Sequence, residues 1–245
     1  MKENLAIPFN NENFWFPGRW ISGITMILGP LLLLIGVVLR SKYHFFFPDQ
    51  LVAYKNHPTL IFFSYSFFIS GNIIMWPAVS SLSRMIGVKK PGWALWGGTF
   101  AVFGLFVRTF HAGVDHLAFQ IVRIQGVDTA TKIIQDSYSA YHIFHTLAPL
   151  IMFGWIILAI GGYISKTLGL FRSISLALMS GLPLGVLKGT TAFSIIAVLG
   201  LAITFTPLGL NLINQKPKPT LKQVLAWTFG MVILIAFLYI FGELG

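Results

Sequence analysis

The chain has 245 residues, of which 56% are hydrophobic and only 10% charged, and it contains no cysteine. A soluble domain carries about a quarter charged residues, so the composition points to a bilayer protein; the missing thiols exclude disulfides, cysteine-zinc sites, iron–sulfur clusters and thiolate-ligated haem. The formal net charge is +10, but the Lys and Arg stand between apolar runs, where they meet anionic lipid headgroups, and no basic cluster interleaved with aromatics suggests nucleic acid.

In chain order, residues 1–19 come first, with Lys2, Glu3, Glu12 and Arg19. They are too long and mixed for the basic lead of a cleaved signal, and the apolar run that follows has no small-residue cleavage site. It reads as a retained first span. Runs near the roughly 20 residues that a bilayer-crossing helix needs fall at Ile21–Val38, Leu60–Val79, Trp93–Phe110, Ile143–Ile164, Thr191–Leu210 and Val224–Phe241. In lipid each backbone N–H must find a partner inside its own segment, so these runs are helices. They do not alternate as barrel strands would.

A seventh apolar segment, Ile174–Leu187, holds Gly181, Pro183 and Gly185. At roughly 14 residues it is too short to cross upright, and an in-plane or re-entrant helix is expected, with a seventh span as the alternative. The expected fold is therefore an all-α, polytopic integral membrane protein: one transmembrane helical domain over residues 1–245, with six spans and a short extra helix. Multi-pass insertion in a cell membrane follows. Aromatics at Phe14–Trp20, His44–Pro48 and Pro91–Trp96 mark the headgroup level.

Lys and Arg outside the span ends divide eight against eight if there are six spans, and ten against six if there are seven. The seven-span count obeys the positive-inside rule better, with the N-terminus cytoplasmic. The longest connections are Ser41–Pro58 and Leu117–Tyr141. In the second, Asp128 is expected to cap a helix that runs unbroken into the fourth span. Pro77, Pro149 and Pro207 are expected to kink or end helices.

All six histidines and all four aspartates fall around the first and third connections, on one membrane side. Within "RTFHAGVDH", at 100° per residue, His111 lies about −60° and Asp115 about −20° from Arg108, with His116 at the edge near +80°. Ala101, Gly104 and Ala112 share that stripe and would let a neighbouring helix come close. On the fourth span Tyr138, His142 and His145 form a matching stripe if the helix is continuous. Turning both stripes inward places a site between the third and fourth helices, beneath the connection Leu117–Gln135, because charge exposed to lipid costs roughly 3 kcal/mol or more per group.

Three kinds of chemistry fit these residues. In the first, His111, His142 and His145 bind zinc or iron, haem iron included. Asp115 then serves as ligand or second partner, His116 as a reserve ligand, and Arg108 and Tyr138 act on the substrate. The activity would be redox or hydrolytic chemistry on a lipid-like small molecule, although no HExxH motif is present. In the second, a small transporter or membrane-resident resistance or accessory protein uses the same cluster as a proton or anion relay. In the third, the cluster is structural only, with Arg108 paired to Asp115.

Overall fold

The computed structural model describes residues 15–138, 141–183 and 185–244; the reading of Lys2, Glu3 and Glu12 lies outside them. In chain order the described residues form α1 (Arg19–Leu39), α2 (Phe47–Asn56), α3 (Pro58–Gly87), α4 (Pro91–Gln125), α5 (Val127–Tyr138) and α6 (Ile143–Leu147). They continue with α7 (Leu150–Ile164), α8 (Leu170–Ala177), a 3-10 turn (Leu178–Gly181), α9 (Ala192–Asn214) and α10 (Leu221–Leu244). Six stretches are long and apolar enough to span a bilayer: α1, α3, α4, α6 with α7, α9 and α10. The protein is an all-α, multi-pass integral membrane protein.

The helices outrun the predicted apolar cores. α4 has 35 residues, because helical hydrogen bonding continues through polar residues until Gly126 at φ 88° ends it. Asp128 lies in the first turn of α5 rather than at its cap, where its charge suits the positive end of the helix dipole. The expected unbroken helix into the fourth span is not formed. α5 stops at Tyr138 and α6 begins at Ile143. Pro149, which lacks an N–H and crowds the preceding turn, sits at the N-cap of α7. Pro77 and Pro207 instead remain inside α3 and α9.

Two compact units are distinguished, Met1–Leu212 and Ile213–Gly245. The second contains α10, a helix long and apolar enough to span and apolar on every side.

In the first unit, backbones nearly touch. A Cβ on Gly36 would fall 2.7 Å from the amide N of Phe68, and one on Gly71 the same distance from that of Leu33, so α1 and α3 pack through glycine. α4 and α7 do likewise: a Cβ on Gly104 would fall 2.7 Å from the Cα of Ile151, and Gly154 faces Ala101. The predicted small-residue stripe works as expected at Ala101 and Gly104. Van der Waals packing of this kind replaces the hydrophobic drive that lipid removes.

These pairings order the crossings. α1 leaves the Arg19 side and reaches the histidine side, α3 returns, α4 goes out again and α7 returns. Thr167, just after α7, donates to the carbonyl of Met85 near the end of α3, so the chain is then on the Arg19 side. Thr204 of α9 donates to the carbonyl of Arg172, and Gly200 abuts Ser175, so α8 and α9 run antiparallel. By residue 189 the chain has reached the other side, where the Gly189 N–H donates to the carbonyl of Phe45 at 3.0 Å. The α8–3-10 helix of 12 residues is too short to cross. The non-helical residues after it, bent and turned at 185–187, carry the chain to that side, in keeping with the seven-crossing alternative. α9 then returns, its Gly209 lying against Gly23 at the start of α1.

Candidate functional site

Non-helical backbone at membrane depth is tolerated only where protein or a water-filled cavity satisfies it. Residues 182, 183 and 185–189 meet that condition through α4. Arg108 donates from Nη2 to the carbonyl of Leu182 at 3.1 Å and from Nη1 to that of Pro183 at 3.2 Å. The Leu187 N–H donates to Asp115 Oδ1 at 2.5 Å. From α3, the Tyr65 hydroxyl donates to the carbonyl of Lys188 at 3.3 Å. Gly185 takes φ 104°, a left-handed conformation that glycine accepts freely.

The predicted stripe on α4 is therefore real, since Arg108, His111 and Asp115 are all buried and line one cavity. The expected Arg108–Asp115 ion pair is not made: each group instead holds part of the broken crossing. Nor is the fourth span the main partner of the stripe. Opposite it stand Leu182, Pro183, Gly185, Lys188 and Gly189, with Arg40 at the end of α1 and Tyr65 from α3. Ala112 lines the cavity rather than a helix contact.

The cavity measures about 40 Å³, room for roughly three waters at the ~10–15 Å³ that each requires in this measure. It lies where the transmembrane core around Val37 and Leu182 gives way to a second core of α2, α4 and α5, in which Tyr54 stacks on Phe119 at 4.5 Å. Three cationic side chains, Arg40, Arg108 and Lys188, line it with one carboxylate, Asp115. Arg40, 4% exposed, lies over the rings of Tyr65 and Phe68 at 4.6 and 4.7 Å and donates to Ser64 Oγ at 3.4 Å. Burial lowers its pKa, while Tyr65 and Asp115 draw it back up. The Nε atoms of Arg40 and Arg108 are buried and have no partner among the described residues.

His111 Nε2 shares a hydrogen bond of 3.2 Å with the Tyr138 hydroxyl. Burial raises the Tyr138 pKa, Asp115 adds to the rise and a backbone bond from Val186 opposes it. The phenol thus stays protonated and able to donate. His145 is exposed and lies edge-on to Tyr138 at 5.9 Å. His142 stacks on His145 at 4.2 Å, and both of its ring nitrogens are buried without a partner among the described residues. Both His111 and His142 lean on the Phe110 ring, centroids 6.1 and 5.0 Å from it.

These positions bear on the expected metal ligands. Among the described residues no three of His, Asp and Glu form a group that could hold a metal ion. Asp115 is engaged by Leu187, and His142 and His145 face one another as stacked rings. His116, near the edge of the α4 stripe, is exposed. Zinc or iron ligation by His111, His116, His142 and His145 draws no support from this arrangement. Of the remaining histidines, His44 pairs with Asp49 at 2.8 Å on the surface, where such pairs contribute little, and His57 is exposed.

Arg40 and Lys188 were not foreseen from the sequence, whereas Tyr65, near the histidine face, was expected as a residue able to line a pocket. The signal was there: an apolar segment too short to span and interrupted by Gly181, Pro183 and Gly185 is the mark of a discontinuous crossing, and such crossings build membrane sites. Comparison with known protein families, with curated proteins and with solved structures finds no match to this chain.

Proposed function

We propose that the protein, in a cell membrane, binds the anionic group of a lipid-like substrate, a phosphate or carboxylate, in this cavity, and that His111 and Tyr138 exchange a proton with it. One observation carries the reading: three cations and a single carboxylate line one small space among the described residues, and the Nε atoms of both arginines are buried without a partner there. An uncompensated buried charge costs several kcal/mol. A planar guanidinium matches carboxylate and phosphate oxygens in a way no other side chain does. The cavity admits an anionic group and leaves the rest of the molecule outside. His111 is buried and lines the cavity, and its bond to Tyr138 puts an acid–base pair beside it. Hydrolysis or group transfer at the bound group fits these residues best.

The test is thermal stability of the purified full-length protein titrated with inorganic phosphate, a short-chain phosphatidic acid or laurate, against chloride at matched ionic strength. The anions are expected to raise the melting temperature, the amphiphiles at lower concentration than phosphate. Arg40→Gln removes a charge-assisted donor of about 1.5–3 kcal/mol and should weaken binding by roughly 10- to 100-fold. Anions that act no differently from chloride, or an Arg40→Gln protein that responds as wild type, would sink the proposal. If inorganic phosphate binds as tightly as the amphiphiles, the ligand is a free anion.

A second reading, a proton or anion relay, is favoured by the contact of exposed His145 with Tyr138, which in turn bonds buried His111. pH-dependent flux in proteoliposomes, abolished by Tyr138→Phe, would select it.

A further inference from the structure

We infer that the seam between α3 and α4 on the Arg19 side binds one anionic phospholipid of the bilayer, with its headgroup at Arg84 and one acyl chain laid toward Ile73 and Phe106. This site is separate from the cavity at the histidine side and independent of the function proposed for it.

Two cavities line the seam and share Trp76 as a wall. The outer, of about 810 Å³, holds Arg84 at its rim, with the hydroxyl residues Ser80 and Thr99 within. Exposed Lys89 and Lys90 follow Arg84 in the α3–α4 turn. The Arg84 guanidinium lies 4.6 Å over the Trp15 ring, and Phe16 meets Trp76 edge-on at 5.2 Å. Aromatics of this kind mark the headgroup level.

The inner cavity, of about 500 Å³, lies deeper and is lined by Ile73, Ile74, Leu105 and Phe106. Its polar groups are already used. Asn72 donates to the carbonyl of Leu105 at 2.8 Å and to Thr109 at 3.2 Å, and Thr25 donates to the carbonyl of Ile21. Nothing there attracts a headgroup, and hydrocarbon fits.

The dimensions agree. Arg84 to Ile73 is about 16 Å along α3 at ~1.5 Å per residue, close to one leaflet of a hydrocarbon core ~30 Å thick. Charge agrees too: the seven-crossing count gives the Arg19 side ten of the sixteen Lys and Arg other than Arg108, the pattern of a side facing anionic cytoplasmic lipid. A cationic rim, a hydroxyl-lined middle and an apolar depth follow the polarity of a phospholipid from headgroup to tail.

The test is native mass spectrometry of the full-length protein released from phosphatidylcholine bilayers containing graded phosphatidylglycerol. One phosphatidylglycerol is expected to be retained in preference to phosphatidylcholine. Arg84→Ala should weaken that preference roughly fivefold, as expected for one cation near a membrane surface. Thr99→Trp, which fills the outer cavity without altering charge, should abolish retention while the protein still elutes as a folded species. Equal retention of the two lipids, an unchanged preference in Arg84→Ala, or full retention in Thr99→Trp would each overturn the proposal. So would a seam occupied by a second copy, seen as a dimer that excludes lipid.

Discussion

Asp115→Ala tests what holds the broken crossing in place. Asp115 is 8% exposed and accepts the Leu187 N–H at 2.5 Å. Alanine leaves that amide buried and without a partner, at a cost of about 1–3 kcal/mol. It also removes the carboxylate that, among the described residues, lines the cavity with Arg40, Arg108 and Lys188. Asp115→Asn keeps an acceptor oxygen at the same position and removes the charge alone, so the gap between the two variants isolates the amide bond. For a chain of this size 1 kcal/mol corresponds to about 2–4 °C in melting temperature. At about 2 kcal/mol the alanine protein should melt roughly 4–8 °C below the asparagine protein. The assay is thermal unfolding of purified protein in a single detergent, followed by intrinsic fluorescence. Both variants should bind phosphate more tightly than wild type, because the negative charge of Asp115 no longer lines the cavity. If the two variants melt together, the Leu187 bond does not secure residues 182–189, and this account of Asp115 is wrong.

Other outcomes follow from the same geometry. Tyr138→Phe removes the hydroxyl that bonds His111 Nε2 and should cost about 0.5–1.5 kcal/mol, read as a small fall in melting temperature; an unchanged protein would mean that the bond contributes nothing. Gly104→Val drives a side chain into the Ile151 backbone and should cost about 1–3 kcal/mol or more, whereas Gly113→Ala, with open space beyond its Cβ, should be nearly neutral. The chain has no cysteine, so single cysteines report sidedness directly. Val88→Cys, Lys166→Cys and Asn211→Cys should react with an impermeant reagent from one side, and Ile124→Cys from the other. Labelling of Asn211→Cys from the Ile124 side would show that residues 165–190 do not cross.

Much of the membrane architecture was legible in the sequence because its cause is local. A run of about 20 apolar residues must bond its backbone internally in lipid, and no tertiary contact can change that requirement. The α4 stripe was legible for the same reason: helical periodicity alone puts Arg108, His111 and Asp115 on one face, with Ala101 and Gly104 ready for a close neighbour. The matching stripe on the fourth span was not, since it assumed a helix that breaks between Tyr138 and Ile143.

What faces the stripe was a tertiary matter. Arg40 and Lys188 are 148 positions apart in the chain, and no spacing rule links them. The short apolar segment 174–187 was ambiguous because its length prevents a continuous crossing, while a non-helical finish can occur only where other helices supply partners for its amides and carbonyls. Local sequence settled which segments enter the bilayer. Only the folded arrangement decided that Arg108 and Asp115 would bond unwound backbone rather than each other, since that backbone, once buried away from water, must be satisfied by whatever polar groups lie opposite.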